Sequence, residues 1–81
     1  AIAGITDAHL RIAEALQFPD HYGKNLDALF DCLAEICKPV AVTLFGTSAL
    51  TAALGSYGSM MLRVFSDAAA ENPNLSVEIA D

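Results

Sequence analysis

Three carboxylates recur at intervals of four residues within one short stretch of the sequence, at Asp27, Asp31 and Glu35. Residues four apart share one face of a helix, so this spacing aligns three like charges. Two kinds of chemistry could use such a row: general acid–base catalysis, with His21 as a nearby partner, or the binding of a cationic ligand. A solvated helix face is the alternative without a function. Because like charges at this spacing destabilise an isolated helix, the row favours a cationic partner.

The other potentially reactive side chains favour structural roles. His9 shares a predicted helix face with Ile12 and Leu16, which indicates a histidine at the edge of the core. Cys32 lies at the edge of the apolar half of its helix and is predicted to be a packed thiol. No serine lies in a nucleophile motif, and the spacing of Cys and His does not fit a zinc site. We therefore predict that the chain is not an enzyme and needs neither a metal nor another cofactor.

The surrounding residues predict an alternation of short strands and helices. Candidate strands cover residues 1–5, 40–45 and 75–80, and candidate helices cover 6–18, 26–36, 47–54 and 60–72, with a turn at 55–59. Asn25 is predicted to cap the helix that carries the carboxylates, and Thr6 or Asp7 to cap the first helix.

The last predicted strand determines the number of layers. Leu75, Val77 and Ile79 alternate with small or polar residues, whereas a strand covered on both faces reads as a continuous apolar run. Each connection between strands is long enough for a helical crossover, so the strands can be parallel. We predict an α/β fold of two layers, in which a three-stranded parallel sheet packs against about four helices. Since no repeat or linker interrupts residues 1–81, we predict a single domain.

Composition limits the class of protein and its partners. The chain has 81 residues, of which 54% are hydrophobic, and its ten acidic and four basic residues give a net charge of −6. Nucleic-acid binding needs a basic footprint, so we predict a basic protein partner and no nucleic acid. No apolar stretch approaches the length of a membrane span, which predicts no membrane contact. Cys32 and Cys37 would lie about 8–9 Å apart on a helix, too far for a disulfide, and reduced cysteines favour a cytoplasmic location.

One segment of the chain resembles the signature of a known protein family. The segment FPDHYGKNLDALFDCL, residues 18–33, closely resembles the barstar family, small intracellular inhibitors of secreted microbial ribonucleases of the barnase type. Similarity at TDAH and at LRVFSDAAAEN extends the resemblance over most of the chain. The family's fold, a three-stranded parallel sheet packed against helices, agrees with the two-layer prediction. The residues that fit the signature are Pro19, Asp20, Tyr22, Gly23, Asn25, Leu26, Asp27, Ala28, Leu29, Asp31, Cys32 and Leu33.

The resemblance implies a function for the acidic row. It implies that a loop and the second helix occlude the active site of a basic, guanyl-specific-type extracellular ribonuclease in a 1:1 complex, with carboxylates in the place of RNA phosphates. Asp31 is the predicted central anchor, Asp27 supports it, and Tyr22 is structural. The partner-binding residues that the resemblance implies are His21, Gly23, Asn25, Leu26, Asp27, Phe30, Asp31, Ala34, Glu35 and Asp67.

Several positions depart from the family pattern. His21 stands where a phenol is usual, Phe30 replaces a tryptophan, and Lys24 weakens the acidic field beside the site. Arg63 precedes Asp67 by four residues and is predicted to neutralise it locally. These departures favour a different ribonuclease target, or a lower affinity for the best-known one.

Two other functional classes stay open. A binding module of the same fold could use the acidic surface for a partner that is not a nuclease, and the surface alone does not distinguish the two. A small hydrolase could use His21 with Asp27 or Asp31. We expect these side chains to lie on a convex helix-and-loop surface and not in a cleft, which disfavours the hydrolase.

Overall fold

The predicted order of helices and strands is largely confirmed. The computed structural model of the protein describes residues 4–80. Its elements are α1 (Ile5–Leu16), α2 (Leu26–Ala34), β1 (Val40–Phe45), α3 (Thr47–Leu54), α4 (Ser56–Glu71) and β2 (Leu75–Ala80). None of the helices in this range is long and apolar enough to cross a membrane.

The sheet is parallel, as predicted, but its described part has two strands and not three. β1 pairs with β2 in a register that runs from Val40 opposite Leu75 to Phe45 opposite Ala80. The third strand was predicted at residues 1–5, of which 1–3 lie outside the described residues. Gly4 is a bend and Ile5 already belongs to α1, so the end of that prediction is wrong. The physical reason is that the Gly4 carbonyl accepts the Ala8 N–H at 3.0 Å and thus opens the helix.

Two helices begin earlier than the sequence predicts. Gly4, and neither Thr6 nor Asp7, is the N-cap of α1, and as a glycine it has no side chain that could accept a hydrogen bond. Asp7 lies instead in the first turn, where a carboxylate interacts favourably with the helix dipole. The predicted turn at 55–59 is also wrong: Gly55 alone separates α3 from α4, with a φ of 61°, and α4 starts at Ser56.

The core forms where α2 and α4 pack against each other and against one face of the sheet. Leu29 and Leu33 of α2 are fully buried, as are Met61 and Phe65 of α4, and Leu75 of β2 is buried beside them. Burial of a side chain of this size contributes about 1.5–3 kcal/mol. The acidic row of α2 lies on the same helix as Leu29 and Leu33, so packing of the core fixes the direction in which the row points.

Alternation along β1 agrees with two layers. Val40, Val42 and Leu44 are half-buried, whereas the residues between them and Phe45 are exposed. On β2, Leu75 and Val77 follow the predicted inward pattern, but Ile79 is 50% exposed near the end of the strand. The helices of the described chain therefore cover one face of the sheet, and they cover it incompletely at the carboxyl ends of the strands.

Candidate functional site

The loop between α1 and α2, residues 17–25, leads the chain to the acidic helix. Gln17 ends α1 in the left-handed conformation, with a φ of 57°. Tyr22 anchors the middle of the loop in the core, and its N–H donates to the Pro19 carbonyl at 2.9 Å. Lys24 is also left-handed, with a φ of 54°, which costs a non-glycine residue about 1–2 kcal/mol. The loop thus reaches α2 through two sharp changes of direction with a buried anchor between them.

Asn25 begins α2 as predicted. Its side-chain oxygen accepts the Ala28 N–H at 2.8 Å, and its amide donates to the Gly23 carbonyl at 3.3 Å. A Cβ on Gly23 would lie 3.1 Å from the Asn25 amide nitrogen and 3.2 Å from the Ala28 Cβ. A side chain at Gly23 would therefore crowd the cap. The two predicted site residues form the joint that holds the loop against the first turn of α2.

The three carboxylates lie together on the solvent side of α2. Asp27 and Asp31 are exposed within the helix, and Glu35 is its exposed C-cap, in a right-handed helical conformation that continues the row. The ion pairs within residues 4–80 lie on α1 and α4, so the acidic row has no ion-pair partner there. No ion pair within the described chain offsets the repulsion that the spacing creates.

A second row of predicted site residues borders the acidic one. Leu26, Phe30 and Ala34 also follow each other at intervals of four, one position before the carboxylates. Leu26 and Phe30 are half-buried and pack against the core, whereas Ala34 is exposed. The exposed parts of this row offer an apolar margin along one side of the charges.

A groove borders the other side of the acidic row. His21, Asp31 and Glu35 line an open groove of about 470 Å³ between the loop and α2. The expected convex surface is therefore wrong for these residues. The physical reason is that the loop, anchored by Tyr22, forms a second wall beside the helix. Asp27 does not line the groove.

The groove presents carboxylate oxygens as hydrogen-bond acceptors, but its histidine is not hydrogen-bonded to either carboxylate as a general base would be. No hydrogen bond joins His21 to Asp31 or Glu35 in the described chain, although a general base and its partner need one. Cys32 also lines the groove, and burial, followed by the nearby Glu35 and Asp31 carboxylates, raises the pKa of its thiol. A raised pKa disfavours the nucleophilic thiolate. No group of His, Cys, Asp or Glu residues within 4–80 is placed to hold a metal ion. This arrangement suits the binding of a basic side chain of a partner protein.

Asp67 forms its ion pair within α4 and is joined to α2 by neither an ion pair nor a hydrogen bond in the described chain. It is exposed on α4, and its carboxylate oxygen lies 4.0 Å from the Arg63 Nε. At this distance the two side chains form a solvent-exposed pair, which has a small effect on stability. Arg63 therefore lies beside Asp67, as the spacing of four residues predicts.

A buried polar cluster, only partly expected from the sequence, anchors the loop. His9 is 0% exposed, deeper than the predicted core edge; its Nδ1 lies 2.6 Å from the Tyr22 hydroxyl and its Nε2 2.8 Å from the Tyr57 hydroxyl. Burial lowers the pKa of His9, and burial first, followed by Cys32 and Tyr57, raises the pKa of Tyr22 to about 12. A neutral imidazole donates through one nitrogen and accepts at the other, so one ring can serve both phenols.

The contacts of Tyr57 with His9 and of Asn72 with the end of α2 have no signal in the sequence. Tyr57 lies 48 residues after His9, and Asn72 contacts the end of α2 from a distance of 36–39 residues. Neither separation leaves a periodic signal. For Asn72 the available signal is its place before Pro73, because a residue before proline usually ends a helix.

Comparison with known proteins identifies relatives over nearly the whole chain. The profile of the family described as "Barstar (barnase inhibitor)" matches residues 1–80. The chain is also similar to a protein of Bacillus subtilis (strain 168) named "Putative ribonuclease inhibitor YrdF", with 39% identity over 64 residues, which cover 78% of this chain and 70% of the relative. The family match spans both the acidic helix and the strands that support it. This chain belongs to the barstar family.

Proposed function

We propose that this protein inhibits a ribonuclease by covering its active site with the α1–α2 loop and α2. Family membership and the similarity to YrdF support ribonuclease inhibition in general. The observation that carries the finer proposal is the row of Asp27, Asp31 and Glu35, which is exposed and has no ion-pair partner in the described chain. A basic active site would supply the missing countercharge.

The chemistry of RNA cleavage explains why carboxylates suit this role. A ribonuclease must concentrate positive charge to hold phosphates, and a carboxylate presents to arginine the same kind of paired oxygens that a phosphate presents. Asp31 is the proposed anchor because it lies in the middle of the row and also lines the groove with His21. Asp27 and Glu35 extend the negative charge to either side. Leu26, Phe30 and Ala34 provide the apolar margin that excludes water from these contacts.

The proposed partner is a basic, guanyl-specific-type extracellular ribonuclease of a microbe, bound 1:1. The chain's net charge of −6 favours attraction of such an enzyme over long range. Complementary charge increases the association rate more than it increases affinity. An inhibitor kept in the cytoplasm would protect the cell that makes the nuclease.

Single alanine variants of the row test this mechanism. We expect Asp31→Ala to weaken binding to a purified basic secreted-type ribonuclease by about 2–5 kcal/mol, because it leaves the enzyme's cations buried and unpaired. Asp27→Ala should weaken binding less and Glu35→Ala least. Glu14→Ala, an exposed carboxylate on α1, is the matched control and should bind as wild type does. The measurements are inhibition of RNA cleavage and dissociation rate at two salt concentrations, with thermal unfolding of each variant.

The outcomes separate the three functional classes. If Asp31→Ala binds as wild type does, or loses binding only because it unfolds, phosphate mimicry is wrong. If wild-type protein binds basic proteins other than ribonucleases and inhibits none, the acidic module with a non-nuclease partner is correct. Hydrolysis by the purified protein that is lost in His21→Ala would instead favour the enzyme.

A further inference from the structure

Asn72 directs its side chain towards the end of the acidic helix. It is the C-cap of α4, it is buried, and its backbone N–H donates to the Ala68 carbonyl at 2.8 Å. Its amide nitrogen lies 2.9 Å from the Leu33 carbonyl, 3.0 Å from the Ile36 carbonyl and 3.3 Å from the Ala34 carbonyl. The two N–H groups of one side chain thus serve three acceptors at and just after the end of another helix, with one N–H shared between two carbonyls.

The end of α2 has few local donors of its own. No glycine follows the helix, Glu35 has a φ of −86°, and Ile36 does not have a positive φ, so the usual left-handed cap is absent. The Glu35 N–H returns to the Asp31 carbonyl at 3.0 Å, but the Ile36 N–H reaches the Leu33 carbonyl only at 3.4 Å. The last carbonyls of a helix need partners from outside it. Asn72 supplies them from α4.

Asn74 connects this cap to the sheet. Its N–H donates to the Asn72 side-chain oxygen at 3.0 Å, and its own amide donates to the Ile36 carbonyl at 3.3 Å. The Asn74 carbonyl accepts the Val40 N–H at 2.8 Å, at the point where β1 begins. The exit of α2 is therefore joined both to α4 and to the edge of the sheet.

We propose that Asn72 is a positioning residue for the ribonuclease-binding surface, because it holds the last turn of α2 and with it Asp31 and Glu35. The inference rests on the proposed function and adds to it a residue that does not itself contact the enzyme. A recognition helix that is already fixed in the free protein lowers the entropic cost of ordering it when the partner binds. Loss of the cap lets the end of α2 fray and moves both carboxylates away from the positions that a rigid active site can accept.

The isosteric variant Asn72→Asp tests the cap with little change in packing. As a carboxylate it keeps an acceptor for Asn74 but has no donor for the three carbonyls. We expect the amides of Glu35 and Ile36 to lose protection from hydrogen exchange by roughly 5- to 150-fold, the equilibrium factor for leaving buried hydrogen-bonding groups unpaired. Asn74→Ala removes only the 3.3 Å bond and should have a smaller effect.

Binding distinguishes positioning from a general loss of stability. We expect Asn72→Ala to accelerate dissociation from a basic secreted-type ribonuclease roughly tenfold, which corresponds to about 1.4 kcal/mol. In an Asp31→Ala background the same change should have a clearly smaller effect, because Asp31 is the stronger of the two carboxylates that Asn72 holds in place. Leu50→Ala on α3, the helix that packs against α4, is the control: it lowers stability and should leave the dissociation rate unchanged.

Three results are decisive. Unchanged exchange at Glu35 and Ile36 in Asn72→Asp would overturn the cap. Additive losses in the Asn72 and Asp31 double variant would overturn the positioning role even if exchange increases. Failure of the wild-type protein to bind any basic ribonuclease would overturn the proposed function, while exchange at the end of α2 still reports whether Asn72 holds it.

Discussion

Single residues beneath the proposed binding surface hold in place the segments that form it. His9 illustrates this: its ring joins Tyr22 of the α1–α2 loop to Tyr57 of α4, so three segments distant in sequence meet at one imidazole. Periodicity placed His9 on the inner face of α1, which is correct. Its complete burial could not be predicted, because it depends on a phenol that only the fold brings near.

Stability should depend on pH through this cluster. The pKa of His9 is lowered by burial, so the folded state favours the neutral ring. Its contribution is fully present above the unfolded pKa of about 6.5 and is lost as pH falls through the lower folded value, at no more than about 1.4 kcal/mol per pH unit. The pKa of Tyr22 is raised to about 12, so its contribution is present below about pH 10 and is lost as pH rises towards 12.

Urea unfolding at a series of pH values checks this dependence. Wild type should lose stability from pH 7 to pH 5 more steeply than His9→Gln, which has no titrating ring. Tyr22→Phe should remove the corresponding loss above pH 10 and is the matched variant on the alkaline side. Equal acid slopes in wild type and His9→Gln would mean that His9 is not the group responsible.

At the scale of elements, close approach of helices overrides local sequence signals. The stretch GSYGS contains two glycines and a tyrosine and reads as a turn, yet only Gly55 interrupts the helices. Gly58 belongs to α4, where a Cβ would lie 2.9 Å from the Leu50 carbonyl and 3.2 Å from the Thr51 Cα. The absence of a side chain at Gly58 lets α3 and α4 approach each other closely. Residue propensities alone do not distinguish a glycine at such a helix contact from a glycine in a turn.

Replacement of this glycine should therefore reverse the usual effect of alanine in a helix. Alanine is about 1 kcal/mol more favourable than glycine inside a helix. We nevertheless expect Gly58→Ala to destabilise the protein, because the backbone of α3 must move by tenths of an ångström; overpacking of this kind typically costs about 1–3 kcal/mol. Ser59→Ala, an exposed change one residue later, is the control and should be neutral or slightly stabilising. A higher unfolding temperature for Gly58→Ala would contradict the role assigned to Gly58.

At the scale of the whole molecule, the sequence predicts individual helices and strands better than it predicts the contacts and spaces between them. β-branched residues and alternation located both described strands, and Asn25 located the start of α2. The acidic row faces solvent because its helical phase is opposite to that of the buried Leu29 and Leu33. The groove beside it was not predicted, since its second wall is a loop held in place through His9. Asn72 was missed for the same reason: its role exists only between elements.

The net negative charge of the chain is expected to lower the stability of the fold and to favour binding of a basic partner. The chain carries a net charge of −6, and its described ion pairs are exposed pairs within single helices, which contribute little. Salt screens repulsion between exposed charges, with a screening length of about 10 Å at 0.1 M. We therefore expect added salt to raise the free energy of unfolding while it slows association with a basic ribonuclease.

The double variant Asp31→Asn/Glu35→Gln should separate these two effects. It relieves both like-charged pairs of α2, worth about 0.2–0.5 kcal/mol each, and keeps Asp27 in the first turn, where the helix dipole favours a carboxylate. At low salt we expect the variant to be more stable than wild type, to associate more slowly with the ribonuclease, and to show weaker salt dependence of both quantities.

The control is Asp67→Asn, which removes a charge that already faces Arg63 and should not gain stability. Urea unfolding and stopped-flow association at low and high salt measure the two slopes. If neutralising the row lowers stability at low salt, the row contributes to the fold, and the interpretation of these carboxylates as a surface kept charged for a partner is wrong.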